Sequence, residues 1–294
     1  MAGRGSRGLA LVSVLWITAL LALLAASLTS SSRTESRLAR NQIENAKAEA
    51  LADAGVHRAA LGLLQFDPER AWRADRSTRR MRLGGGEVRI TVEDEDAKID
   101  LNGAPVELLA GLFRAVGLDD EAALTFADRI ADFRDDDDEP RPLGAEAADY
   151  AAAGLAHEPK NAPFVTLSEL LQVLGMTEEL YELVKPHLTV FSGGEGLDPL
   201  RASPTVLLAI PGMTPDIAQA IATASADVDP FALMSDDLLF EIETYFLFSR
   251  EIVFLVRAEG RSAGGGVFVR EAVIELTGAD PPFNVYAWRR GDLR

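Results

Sequence analysis

Between Asp135 and Asp149 the chain carries five Asp and two Glu in fifteen residues: Asp135-Asp136-Asp137-Asp138-Glu139, then Glu146 and Asp149. Carboxylates crowded to that degree repel one another unless water or a cation neutralises them. A solvated acidic loop is one solution. The other is a hard cation, and Ca²⁺ takes about six to eight oxygens from loop carboxylates and backbone carbonyls. Along an extended loop Asp135 and Asp137 point the same way, and Glu146 returns from the next turn as a bidentate ligand. Asp138 and Asp149 complete the candidate set. The spacing is not that of an EF-hand, because no D-x-D-x-D-G-x5-E occurs. Spacing alone leaves the solvated loop and a structural calcium site both open, and with them the individual ligands.

Other chemistry has less to work with. Paired acids can hydrolyse glycosides, but these lie in a run of Asp without an aromatic platform for a sugar. The chain has no G-x-S-x-G, H-E-x-x-H or phosphate loop. It has no cysteine and only three histidines, His57, His157 and His187, far apart in sequence. Thiolate metal sites, disulfides and a cysteine nucleophile are therefore excluded, and no catalytic residue is expected. Twenty-nine Lys and Arg against 46 Asp and Glu give a net charge of −17, which repels phosphate backbones. A Gly turn at Pro211-Gly212-Met213 has the form of a phosphate-binding hairpin, yet no Lys or Arg lies between Pro204 and Arg250. No nucleic-acid partner is expected.

The elements that must hold the acidic loop are read from periodicity. At 294 residues, 48% hydrophobic and 26% charged, the chain is long enough for one large domain or two ordinary ones. Leu9 to Leu28 is uncharged, and as a helix its twenty residues span ~30 Å, the thickness of a hydrocarbon core. Ala25-Ala26-Ser27 resembles a signal-peptidase site, so a cleaved signal peptide competes with an uncleaved anchor. No break follows: residues 30–65 lack proline and contain only Gly55 and Gly62. Ala46, Ala50 and Ala54 make a small-residue seam, with Ile43 before it and Leu61 and Leu64 after. The seam serves either for packing on the chain's own domain or for packing against other such stalks. Arg4 and Arg7 flank the apolar run on one side and Arg33, Arg37 and Arg40 on the other, so charge alone does not orient it.

Beyond the stalk, Gly84–Gly86 marks a break and Glu87 to Val92 alternates at period two. Lys98 to Leu101 follows an acidic turn, which predicts a half-buried hairpin. Ile252 to Val256, a turn at Gly264–Gly266, Val267 to Leu276 and Phe283 to Trp288 supply further strands. Between them, roughly Ala104 to Phe248, short helical patterns dominate: one after Pro105, then 120–134, 167–174, 178–184, 203–210 and 214–222. Residues 101–118 echo 198–213 as apolar helix followed by a Gly turn. The fold class is α+β: a long N-terminal helix, a small antiparallel sheet, and a large helical insertion of helix-hairpin-helix or SAM-like units.

These residues resemble a known family. A short leader ending in Arg7-Gly8, about twenty apolar residues and a polar helix resemble the signal of type IV pilins and pseudopilins. Most such subunits have Glu at the fifth mature position, here Ser13. That departure, with RTESRLARNQ-ENA-AEALADAGV (Arg33 to Val56), IDLNGAP (Ile99 to Pro105), GAEAADY (Gly144 to Tyr150) and NAPF-TLSELLQVLGM (Asn161 to Met176), resembles the K-type minor pseudopilin of the type II secretion system. The resemblance implies processing by a prepilin peptidase between Gly8 and Leu9. It implies a leader at 1–8, a transmembrane helix at 9–28 and a stalk at 29–65. It implies a pilin-like domain formed by 66–103 and 249–294, with the insertion at 104–248. It also implies calcium in the acidic region, I- and J-type minor pseudopilins as partners, and a position at the filament tip. The chain would start as a single-pass inner-membrane protein with its C-terminal domain in the periplasm. A membrane-tethered periplasmic binding module outside any filament is the competing reading.

Overall fold

The computed structural model describes residues 6–65, 67, 69–224, 231, 234–247 and 252–292, with the side chains of 6–10 and 25–34 outside that description. Residues 1–5 of the expected leader, and the side chains on both sides of the expected cut, therefore lie outside the description. A single helix, α1 (Ser6–Leu63), runs from the apolar segment into the body of the protein. Among the described residues, no helix is long and apolar enough to cross a membrane. Large apolar side chains from Leu11 to Leu24, Trp16 and Leu23 most of all, are exposed.

The C-terminal part of α1 lies on a five-stranded antiparallel sheet of order β1-β2-β5-β6-β7. Its strands are β1 (Arg79–Leu83), β2 (Gly86–Asp94), β5 (Val253–Arg261), β6 (Val267–Leu276) and β7 (Phe283–Arg290). Alternation in β2 turns Val88, Ile90 and Val92 to the helix, where they meet Leu51, Val56, Ala59, Val256, Ala258 and Ile274 in one core. The opposite sheet face carries ion pairs of alternating sign, Arg89–Glu259 and Arg257–Glu271 among them.

The strand expected at Lys98–Leu101 does not hairpin with β2. The hairpin partner of β2 is β1, across a two-residue turn whose Gly84 and Gly85 both have positive φ (53° and 82°), the backbone a tight hairpin requires. Glu95–Ala97 instead forms a 3₁₀ turn, capped by the Asp94 side chain accepting from the Asp96 N–H. That turn redirects the chain, and β3 (Ile99–Asp100) pairs in parallel with β4 (Leu188–Thr189). The hairpin expectation failed because β1 reads RRMRL, a strand with hardly any apolar signal.

Between β2 and β5 come α2 (Val106–Ala115), α3 (Asp120–Arg134), α4 (Ala147–Ala152), α5 (Glu178–Val184), α6 (Pro204–Leu207), α7 (Pro215–Thr223) and α8 (Asp236–Ile242). The segment expected as a helix from 167 forms a 3₁₀ helix, Leu167–Gln172. These helices enclose a second core, to which Leu108, Leu109, Leu112, Phe113, Ile130 and Phe133 belong, and Ile99 and Leu101 join it. Buried charge lines the neck between the two cores. Lys98 pairs with Glu95 at 2.7 Å, Glu95 accepts from the Thr189 hydroxyl, and Arg201 pairs with Asp198 at 2.5 Å. The Asp198 N–H donates to the Asp96 carbonyl at 2.7 Å.

Candidate metal centre

Helix α3 ends at Arg134, and the acidic loop leaves from its last turn. Asp119 caps the start of α3, its side chain accepting from the Ala122 N–H. The far end is tied down by Arg134, whose guanidinium donates to the Leu101 carbonyl and, at 2.6 Å, to that of Ala104. Asn102 exchanges two hydrogen bonds with the Phe164 backbone, at 3.0 and 2.7 Å, and Phe164 stacks on Phe133 at 4.9 Å. The LNGAP and NAPF segments are thus the fastening of the loop's base.

Asp132 is fully buried in the last turn of α3. Its carboxylate accepts from the Arg141 N–H (3.1 Å), the Ala145 N–H (2.9 Å) and Arg141 Nη1 (3.1 Å). Burial pushes its pKa up, against the downward pull of these donors. The loop bends back so tightly that a Cβ on Gly144 would lie 1.8 Å from Asp132 Oδ2. Only glycine fits there.

Folding the loop back in this way brings Asp135, Asp137 and Glu146 together, each offering an oxygen within 4.8 Å of the others. Glu146 is 5% exposed, and neither of its carboxylate oxygens has a hydrogen-bond partner; buried Asp135 Oδ1 likewise has none. Burial, together with the carboxylates of Asp132, Asp135, Asp138 and Asp137, pushes the Glu146 pKa up to about 7. Buried carboxylate oxygens without donors are costly, and a cation is the group that offsets such a cost. The donor set is all oxygen, which suits Ca²⁺.

Asp138 and Asp149 are engaged elsewhere. Asp138 Oδ1 accepts from Asn161 Nδ2 at 3.0 Å, and Asp149 Oδ2 accepts from the Glu146 N–H at 3.0 Å, at the start of α4. Asp149 thereby fixes the backbone of Glu146. Spacing did not point to Asp132, Arg141, Gly144 or Asn161. Asn161 has a left-handed backbone (φ 47°), donates to the Asp137 carbonyl at 3.1 Å, and keeps a buried Oδ1 without a partner.

Stalk helix, small sheet and large helical segment between β2 and β5 together define an α+β subunit built on one long helix. Residues 91–193 match the family model described as type II secretion system (T2SS), protein K. A protein K of that system from Klebsiella pneumoniae is 29% identical over 202 residues, covering 62% of this chain and 62% of the relative's own length. One from Pseudomonas aeruginosa is 27% identical over 245 residues, 75% of this chain and 73% of that one. The same fold occurs in the crystal structure of the GspK-GspI-GspJ complex from enterotoxigenic Escherichia coli, with a TM-score of 0.63 and 20% identity, over 90% of this chain and 100% of the matched one. The chain is thus similar to type II secretion system protein K, through a family domain at residues 91–193 and curated relatives of that name.

Proposed function

We propose that the chain is a non-catalytic subunit at the tip of a periplasmic pseudopilus, assembled with I- and J-type minor pseudopilins and supporting export of folded proteins across the outer membrane. One observation carries this reading. The face of α1 opposite the sheet leaves Ile43 and Leu61 more than half exposed, with Ala46 and Ala50 exposed between them, while Ala48, Ala52 and Val56 take the sheet contact. Ala46 and Ala50 of the small-residue seam are thus left for neighbouring stalks, while Ala54 is half-buried. The solved complex whose fold the chain shares joins GspK to GspI and GspJ, and the partners are proposed by that likeness.

The proposal has three further parts. The apolar segment 9–28 is the transmembrane anchor before assembly, placing the C-terminal part in the periplasm. A prepilin peptidase removes residues 1–8, leaving Leu9. The helical segment is the SAM-like insertion of the family, and it holds Ca²⁺ through Asp135, Asp137 and Glu146, where the ion braces the loop.

Co-purification tests the assembly. Coexpressed with I- and J-type minor pseudopilins, the chain should be recovered with both. Ala46, Ala50 and Ala54 together changed to Glu should lose both, because carboxylates are not cheaply buried in a small-residue interface. A tethered binding module would be recovered with neither partner.

A further inference from the structure

The acidic loop contains one built-in cation. Arg141 Nη1 bridges two carboxylates, 3.1 Å from Asp132 Oδ1 and 2.8 Å from Asp135 Oδ2, and the Arg141 N–H holds the other oxygen of Asp132 at 3.1 Å. Asp132 is anchored in α3 and fully buried, so it serves as a fixed post. Asp135 is the residue held against it. Its Oδ2 is taken by the guanidinium, while Oδ1 is buried and has no partner. The Asp135 carboxylate also lies with an oxygen within 4.8 Å of oxygens from Asp137 and Glu146, and Oδ1 is the one the guanidinium leaves free for a ligand role.

We propose that Arg141 is the positioning residue of the cation site: it clips Asp135 to Asp132, restricts Asp135 to a single ligand oxygen, and shapes the site before the ion arrives. The inference rests on the calcium reading given above. Two effects of opposite sign meet in Arg141. Its positive charge repels a divalent cation a few ångströms away, so electrostatics alone predicts tighter calcium binding without it. Its hold on Asp135 acts the other way, because losing a group that orients a ligand costs about 10–100-fold in metal affinity. The geometry points to the second effect as the larger, since among the described residues Arg141 alone removes the rotational freedom of the Asp135 carboxylate.

Calcium titration calorimetry on the full chain in detergent, with Arg141→Met beside the wild type, separates the two. The expected result is calcium binding about 10–100-fold weaker in the variant. Equal or tighter binding overturns the proposal. A lower metal-free melting temperature with unchanged affinity overturns it too, because that marks a merely structural Arg141. Should Arg141→Met not fold, Arg141→Lys keeps the charge without the planar fork. A loss of about tenfold then supports positioning, and an unchanged affinity overturns it. A wild-type chain that binds no calcium would fail the site itself, an outcome distinct from any of these.

Discussion

Glu146 shows how one side chain sets the behaviour of the loop. Its metal-free pKa of about 7 lies above its ordinary 4.5. Between those values the folded chain keeps a proton that the unfolded chain has released, so metal-free stability falls as pH rises from about 4.5 towards about 7. A bound cation holds the carboxylate ionised and removes that slope. Calcium binding at pH 6 should therefore expel close to one proton, and at pH 8 almost none. Calorimetry in two buffers of different ionisation enthalpy counts that proton, and equal release at both pH values would contradict the assignment to Glu146. Glu146→Gln should raise the metal-free melting temperature at pH 8 and abolish its response to calcium. Gly144→Ala should act in the opposite direction, costing about 1–3 kcal/mol or more by denaturant unfolding, because its Cβ has no space beside Asp132. Asp135, Asp137 and Glu146 were legible in the sequence because they are charged and close together. Asp132 and Asn161 were not. Asp132 belongs to a helical pattern, and Asn161 reaches the loop from beyond α4, so only the folded backbone joins them.

At the scale of elements, the alternation in β2 and the apolar stripe of α2 were visible because one face of each is buried. Edge strand β1 was not, since its stability comes from pairing with β2 and not from burying apolar side chains of its own. The internal echo has a physical counterpart. Asp100 Oδ1 accepts from the Asn102 and Gly103 N–H groups ahead of α2, and Asp198 Oδ1 accepts from the Leu200 N–H ahead of α6. Helix α2 then packs on the turn just after α6, where a Cβ on Gly111 would lie 1.8 Å from the Ala209 carbonyl oxygen. Gly111→Ala should force α2 and α6 apart, even though alanine is the better helix former. The expected cost is again about 1–3 kcal/mol, with faster amide exchange in α2 and α6 than in β5 and β6. Uniform loosening of both regions would show that the two cores unfold as one.

For the whole molecule, what matters is which surfaces the fold consumes and which it leaves. The same substitution on two faces of α1 should have two outcomes. Ala52→Glu places an unpaired carboxylate in the core against the sheet, where the alanine is fully buried, and should cost about 4 kcal/mol or more. Glu at the exposed Ala46 and Ala50 should leave the melting temperature nearly unchanged and act only on assembly. The helical segment adds bulk beside the sheet, to which it is tied at the neck by Arg201–Asp94 (3.6 Å) and by the Asp198 N–H donating to the Asp96 carbonyl (2.7 Å). Subunits added through the stalk associate head to tail, a mode that continues until something blocks it. If the bulk is the block, replacing residues 104–248 by a short linker, with both strand groups kept, should preserve recovery with I- and J-type partners while relaxing the control of filament length. The Ala46, Ala50 and Ala54 variant should instead lose the partners and the filaments initiated with them. Pseudopili counted and measured in cells carrying each variant at normal abundance decide between capping and tethering. A tethered module predicts unaltered number and length in both strains, and that result would remove the chain from the tip.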